Sequence, residues 1–199
     1  MLYLNQLDHR GVPYRHNVKN GGVPPERQNV ATSGCGLCSM CMIVDQLTVH
    51  SLSVPDCAAL AEASGANWRV GCDMTILGPA AARRFGLEYG GTWDPGVLRA
   101  HLAAGGRAVA NVTGDRPGHI GLFSHVRHYV VLLSADGDEV TILDPGYTPE
   151  KYQEEGRRGL VRIDPPFIYC DLARLEEDCR NFKPEFAPYP PFHLFKRKA

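Results

Sequence analysis

The chain has 199 residues, of which 44% are hydrophobic and 22% are charged, and its formal net charge is -1. This length supports one folded core without disulfide support, and the composition excludes an intrinsically disordered chain. The nearly balanced charge gives no reason to expect a nucleic acid or an anionic membrane as a partner. We therefore expect a single domain, 1–199, with small-molecule or peptide chemistry.

Targeting signals and cysteine usage suggest where the protein works. No apolar run approaches the ~20 residues of a membrane span, and the start "MLYLNQLDHRG" lacks the pattern of a signal peptide. The chain has seven cysteines, and this odd number favours reduced thiols over a disulfide framework. We expect a cytoplasmic protein without a membrane span, and the sequence does not indicate its oligomeric state.

The first half of the chain is expected to be mainly helical. Residues 1–34 are rich in Gly, Pro, Asn and charge, which predicts a loop-rich leader. In the helical part, 35–105, "CGLCSMCMIVDQL" has apolar residues three and four apart, which predicts a buried helix with Cys35 in its first turn. Further helices are predicted after Ser53 and Asp94, each followed closely by proline, and within "DMTILGPAAARRFGL".

The second half changes to a strand pattern. In the sheet part, 106–165, "RAVANVTG", "HYVVLLSADGDEVTILDPG" and "GLVRI" are short β-branched runs separated by turn residues. In 166–199, "CDLARLEEDCRN" predicts a helix, and a proline-rich tail follows it. Helices first and an antiparallel sheet second indicate an α+β fold.

The predicted hairpin places a histidine near a carboxylate. If Ala135-Asp136-Gly137 forms a three-residue loop with Gly137 left-handed, His128 lies directly opposite Asp144, with Cβ atoms ~5 Å apart. A two-residue Asp-Gly loop would place the two side chains on opposite faces of the sheet. A hydrogen bond between imidazole and carboxylate therefore depends on the loop length.

A thiol at a helix start completes the pattern of a nucleophilic site. The helix dipole and the unpaired N–H groups at Cys35 would favour its thiolate. Gly34 and Gly36 are expected to leave room for a substrate carbonyl, and the Cys35 N–H could bind an oxyanion. A side-chain amide is the usual second donor, and the upstream candidates are Gln6 and Gln28.

Four motifs together resemble a known family. In chain order they are "LNQLD", "SGCG" at a helix start, "HYVVL" and "ILDPG", within roughly residues 3 to 147. They resemble the papain-like double-glycine leader peptidases, which include the cysteine-peptidase domains of bacteriocin-exporting transporters and stand-alone bacterial relatives. The resemblance implies a papain-like fold, in which a helical part carrying the cysteine packs against a sheet carrying the histidine and the aspartate.

The resemblance also implies roles for four residues. Cys35 would be the nucleophile, His128 the general base and then acid, Asp144 the group that orients the imidazole, and Gln6 the oxyanion donor. No cofactor is expected. The chain departs from the family at Leu37-Cys38-Ser39, where members usually have smaller residues, and no transporter segment follows, so a role in bacteriocin export does not carry over.

The expected activity is that of a cysteine peptidase or amidase, which hydrolyses a peptide or small amide substrate through a thioester on Cys35. Two alternatives remain open at this stage. The same residues would serve an acyltransferase, because hydrolysis and transfer differ only in the second acceptor. The chain could also be a peptide-binding module that keeps the fold but uses a buried, inert Cys35.

Other uses of the cysteines and histidines are weaker. The two metal sets that the sequence offers are three cysteines and three histidines (Cys35, Cys38 and Cys41; His119, His125 and His128). The cysteine set lacks the fourth ligand of an iron–sulfur motif, and strand residues three apart point to opposite faces. Cys170 and Cys179 are expected on one helix, too far apart to form a disulfide.

Overall fold

The computed structural model describes residues 1–16, 24–67, 71–180 and 189–198. The helices are α1 (Val30–Ser33), α2 (Cys35–Leu47), α3 (Val54–Ser64), α4 (Met74–Phe85), α5 (Pro95–Ala103) and α6 (Leu172–Cys179). The strands are β1 (Leu87–Thr92), β2 (Arg107–Val112), β3 (His128–Asp136), β4 (Glu139–Leu143), β5 (Arg162–Asp164), β6 (Phe167–Asp171) and β7 (Phe192–Arg197). Short 3-10 turns lie at Gln6–His9, Pro25–Arg27 and Lys151–Gln153.

Three of the helices, α2, α3 and α5, begin where the sequence predicts them. The Ser53 hydroxyl accepts a hydrogen bond from the Asp56 N–H at the start of α3, and the Asp94 carboxylate accepts one from the Gly96 N–H at the start of α5. Gly65 ends α3 in the left-handed conformation, with φ 77°. Cys35 is the first residue of α2, so the predicted position of this thiol at a helix start is confirmed.

The sheet is antiparallel throughout, and its order among the described residues is β1-β7-β2-β3-β4-β6-β5. Its two faces bury alternate residues of β3. Val131 and Leu133 pack into the core with α2, α3 and α4, whereas Val130 and Leu132 pack on the opposite face with α5 and α6. The predicted α+β fold, with the cysteine helix against the antiparallel sheet, is confirmed.

Two strands lie where the sequence analysis expected other structure. β1 lies inside the expected helical part, and β7 lies in the expected tail and pairs with both β1 and β2. Both faces of β7 are covered, because Phe192 and Leu194 pack on the side of α5 and α6, whereas Phe195 packs into the core with α2. The sheet therefore extends on both sides of the expected sheet part, 106–165, and the expected boundaries of the helical and tail parts are wrong. The prediction of one domain stays a prediction.

The region around Cys170 also differs from expectation. Cys170 lies in β6 rather than in a helix, and α6 starts at Leu172, where the Asp171 side chain caps the Ala173 N–H. Part of the expected proline-rich tail, within 181–188, and part of the leader, 17–23, lie outside the described residues. Within the described ranges, no helix is both long and apolar enough to cross a membrane.

Candidate active site

The Gly-Cys-Gly corner is tightly packed. A Cβ atom at Gly34 would lie 2.3 Å from Val30 Cγ1, and one at Gly36 would lie 3.0 Å from the Cys72 Cβ. Gly34 therefore allows the backbone of α2 to pack closely on α1, and Gly36 allows it to pack closely on the segment that carries Cys72. A side chain at either position would displace this packing, and the expectation that the glycines leave room for a substrate carbonyl at the sulfur stays a prediction.

The hairpin has a different register from the predicted one. Asp136 pairs with Glu139, so the loop is the two residues Gly137 and Asp138, and a bulge between Leu132 and Ser134 then shifts the pairing by one residue. The two-residue loop alone would separate the imidazole and the carboxylate onto opposite faces. The bulge restores a shared face, because each one-residue shift reverses the facing of the side chains that follow.

Asp144, just beyond the end of β4, is diagonal to His128 rather than directly opposite it. The His128 Nε2–H donates to Asp144 Oδ1 at 2.7 Å, and the Gly146 N–H donates to the same oxygen at 2.7 Å. The other oxygen, Oδ2, accepts from Lys151 Nζ and from the Tyr152 hydroxyl, each at 2.7 Å. Four donors therefore hold this fully buried carboxylate in one orientation.

These contacts shift the pKa values of both groups. Burial opposes ionisation of His128, but attraction to Asp144 and hydrogen bonds with Asp144 and Cys35 raise the pKa of the imidazole to about 9. Burial also raises the pKa of Asp144, but the charges of His128 and Lys151 and their hydrogen bonds hold it well below its usual range. An imidazolium beside a carboxylate is thus the favoured state.

The Cys35 thiol lies at the other side of the same imidazole. Because His128 uses Nε2 for Asp144, its Nδ1 is the ring nitrogen left to interact with the Cys35 thiol, which lines the same cavity. Burial raises the pKa of the Cys35 thiol, but the hydrogen bond with His128 and the charge of that ring lower it by more. The net shift below the usual value favours a thiolate–imidazolium pair.

The remaining cysteines have different surroundings. All seven lie in the described part of the chain and are free thiols, and Cys35 alone is partly exposed. Burial raises the pKa of Cys38 and of Cys72, although Cys72 lines the same cavity as Cys35. Reactivity is therefore expected to be concentrated at Cys35.

Gln6 lies beside the thiol region, whereas Gln28 does not line the cavity. The Gln6 backbone N–H donates to the Pro145 carbonyl at 2.7 Å, and its side-chain Nε2 donates to the Ala31 carbonyl at 2.9 Å. The amide of Gln6 is thus held between the segment after Asp144 and the segment before Cys35. Of the two expected oxyanion donors, the fold brings Gln6 to the site.

A cavity of about 370 Å³ opens on these groups. It lies between α2 and the sheet, and its lining includes the thiol, the imidazole and the candidate amide (Cys35, His128 and Gln6), together with Lys151 and His193. Three exposed apolar side chains also line it (Leu7, Val126 and Tyr189). The cavity offers a polar end at these groups and an apolar rim, as is usual for a ligand-binding site.

The two metal sets do not come together. His119 bonds to Asp178, His125 lies between Asp115 and Glu154, and His128 bonds to Asp144. Within the described residues, no group of three or more His, Cys, Asp or Glu side chains is arranged to hold a metal ion.

Three residues around Asp144 were not predicted from the sequence. Lys151 and Tyr152 reach its carboxylate, and the Tyr3 hydroxyl donates to its backbone carbonyl at 2.9 Å. The turn signal "DPG" after β4 indicates that the chain reverses there, but no periodic pattern marks the residues that return.

Comparisons with known proteins agree with this fold. The sequence matches no protein-family model and no curated protein. The structure is similar to the peptidase domain of ComA from Streptococcus, a bi-functional ABC transporter involved in a quorum-sensing pathway. The TM-score is 0.53 with 14% identity, over 84% of this chain and 93% of that one. It is also similar to a candidate C39-like peptidase from Bacillus anthracis, with a TM-score of 0.54 and 13% identity over 96% of each chain.

These similarities define the fold class. The chain has the papain-like fold of the C39 peptidase domains, with a helix-borne thiol packed against an antiparallel sheet. The predicted resemblance to the double-glycine leader peptidases is therefore confirmed at the level of the fold.

Proposed function

We propose that the protein is a cysteine peptidase or amidase that hydrolyses a peptide or amide bond. The observation that carries the proposal is the hydrogen bond from His128 to the buried Asp144, with the partly exposed Cys35 thiol beside the same imidazole and opening on the cavity. Each of these groups alone has ordinary structural uses. Their connection in this order is the arrangement that nucleophilic catalysis by a thiol requires.

Acylation starts from the thiolate–imidazolium pair. The Cys35 sulfur attacks the carbonyl carbon of the substrate, and the carbonyl oxygen becomes an oxyanion. The imidazolium of His128 then gives its proton to the departing amine, and the C–N bond breaks to leave a thioester on Cys35. Asp144 stabilises the charged ring and fixes which nitrogen faces the sulfur.

Deacylation uses the same residues in reverse. The neutral imidazole of His128 takes a proton from a water molecule, and the resulting hydroxide attacks the thioester carbonyl. The C–S bond breaks, the acid product leaves, and the proton on the imidazole restores the starting ion pair with the Cys35 thiolate.

Gln6 is the proposed side-chain donor to the oxyanion. Its Nε2 has two N–H groups, and the one that does not bond to Ala31 is available for this second use. The Cys35 N–H lies in the first turn of α2, where backbone N–H groups have no acceptor within their own helix, and it supplies the other donor.

A peptide is the favoured substrate. The structural neighbours are named as a peptidase domain and a C39-like peptidase, and the apolar side chains of Leu7, Val126 and Tyr189 at the cavity suit the side chains of an extended peptide. Transfer of the acyl group to an amine is the second candidate, because the same thioester would serve both reactions.

The first test measures the reactivity of Cys35. Iodoacetamide should alkylate this thiol near pH 7 at least about tenfold faster in the wild-type protein than in a His128→Ala variant, because the imidazole holds the thiolate. Intact mass and peptide mapping identify the modified residue. Cys72→Ser is the matched control, since Cys72 lines the same cavity, and this variant should keep the fast reaction. Equal rates with and without His128 would support the binding-module alternative.

The second test separates hydrolysis from transfer. Peptide p-nitroanilides that the wild-type protein cleaves are incubated with and without an added amine, and the products are analysed by mass spectrometry. A free acid in both conditions indicates a hydrolase. A new amide that forms in preference to the acid indicates an acyltransferase.

A further inference from the structure

The oxygen of Asp144 that does not face the imidazole is held by a cation. Lys151 Nζ and the Tyr152 hydroxyl both donate to Oδ2, while His128 and the Gly146 N–H donate to Oδ1. The carboxylate of Asp144 therefore lies between two positively charged groups when His128 is protonated. Asp144 acts as one partner of an ion pair with Lys151 rather than as a lone anion.

The chain places Lys151 by a short return path. After Asp144 the backbone turns, with the Tyr147 N–H donating to the Asp144 carbonyl, and the Lys151–Gln153 turn brings the chain back. Tyr152 is 1% exposed and packs against the rings of Phe123 and Tyr147, so it anchors this turn. The Lys151 side chain is 14% exposed and lines the cavity.

The burial of both partners makes this ion pair consequential. A carboxylate with no exposed side-chain area feels a nearby charge in a medium that screens less than water. With Asp144 alone, the imidazolium would be held very strongly, and a ring that keeps its proton too tightly is a poor acid for the leaving amine. A second cation beside Asp144 weakens that hold and also favours the nearby thiolate.

We propose that Lys151 is a positioning residue, which fixes Asp144 toward His128 and offsets part of the carboxylate's charge on the ring. The proposal rests on the function proposed for Cys35, His128 and Asp144. Lys151 acts through Asp144, whereas Tyr152 holds the same oxygen without adding charge. The two residues therefore share a structural task, and only Lys151 has an electrostatic one.

Other charged and titratable groups surround this part of the site. They come from α2, from the N-terminal segment and from the turn after β4 (Cys35; Tyr3 and Asp8; Tyr152 and Arg157). All of them remain when Lys151 is replaced, so the change isolates one positive charge. Loss of a cation makes every nearby group release its proton at higher pH.

The experiment follows the rate of Cys35 alkylation by iodoacetamide from pH 4 to 10 in the wild type and in Lys151→Met. The profile has a low-pH limb, where the Cys35 thiol ionises, and a high-pH limb, where His128 loses its proton. Both limbs should move to higher pH by about one unit, as expected from one charge ~10 Å away at an effective dielectric constant of about 20. Lys151→Arg should restore both limbs toward the wild-type positions. Tyr152→Phe should lower the rate without moving the limbs.

Lys196→Met is the matched control, because this lysine is 55% exposed on β7 and pairs with Glu88. Its profile should superimpose on that of the wild type. If Lys151→Met does not fold, as judged by circular dichroism, Lys151→Gln replaces it. NMR titration of the His128 ring gives a second measurement, in which the pKa of His128 in Lys151→Arg should lie within about 0.3 units of the wild-type pKa.

Two negative results have different meanings. If the wild-type profile itself shows no His128-dependent thiolate, the proposed function is wrong. If the wild type shows the thiolate but the limbs of folded Lys151→Met or Lys151→Gln stay in place, Lys151 is only a structural contact of Asp144 and the present proposal is wrong.

Discussion

The start of α2 and the β3–β4 hairpin supply the two sides of the candidate site, and they are built in different ways. Cys35 follows a tight local junction, because Gly34 packs against Val30 of the preceding turn where α2 begins. His128 and Asp144 meet only because a bulge corrects the register of their hairpin. The thiol side is locally encoded, whereas the imidazole side depends on contacts made by the folded sheet.

The largest expected effect comes from breaking the hairpin side. Asp144→Asn should slow alkylation of Cys35 near pH 7 by a factor on the order of 10² to 10⁴, because the amide no longer holds His128 in its charged form and correct tautomer. It should also lower stability by ~3–5 kcal/mol in urea denaturation, since Lys151 loses its buried partner. Asp136→Asn, at an exposed position of the same hairpin, is the control and should change neither quantity.

A rate for Asp144→Asn within threefold of the wild-type rate would contradict this account of the hairpin side. It would mean that the start of α2 alone activates the thiol.

Gln6 connects the two regions, and replacing it should have an intermediate effect. Gln6→Ala should slow acylation of Cys35 by p-nitrophenyl acetate by a factor on the order of 10², because one oxyanion donor is lost. Alkylation by iodoacetamide forms no oxyanion and should keep its rate. Gln28→Ala, the other glutamine singled out from the sequence, should affect neither reaction. Equal loss in both reactions would indicate that Gln6 only holds the structure together.

The smallest effect is a dependence of stability on pH that belongs to the hairpin side alone. In a Cys35→Ser background, which removes the competing thiol, the free energy of unfolding should fall as pH rises from about 6.5 toward 9. The pKa of His128 is raised to about 9 beside the thiol, so the charged ring stabilises the fold fully at pH values below the ordinary pKa of histidine. This contribution is lost as the pH rises and the ring deprotonates. The expected change is on the order of 2–3 kcal/mol.

Urea midpoints across this pH range provide the measurement. Adding His128→Gln to the same background should flatten the curve. A slope that survives this second change would assign the pH dependence to a group outside the hairpin.

The comparison also explains what the sequence could predict. The starts of α3 and α5 were correctly placed, because Ser53 and Asp94 cap these helices through contacts two or three residues away. The hairpin loop was wrongly assigned, because the position of a bulge depends on packing on both faces of β3 and leaves little mark on composition. The shared face of His128 and Asp144 was predicted from a register that the structure does not have.

The contacts of Lys151 and the place of β7 lay beyond sequence reasoning for the same reason. The approach of Lys151 to Asp144 requires the return of a turn whose path is set by the buried ring of Tyr152. The short segment that forms β7 has no alternating pattern, and its partners, β1 and β2, are each about 80 residues or more away.

The placement of β7 between β1 and β2 has a consequence for how the protein is made. Among the described residues, β7 is the sole partner strand of β1. In a nascent chain whose synthesis has not reached Phe192, β1 therefore has no partner strand and β2 is an open edge of the sheet. Such an edge is a template for pairing with other chains. This part of the sheet therefore closes only after β7 has been synthesised, and until then the open edge of β2 is exposed to aggregation.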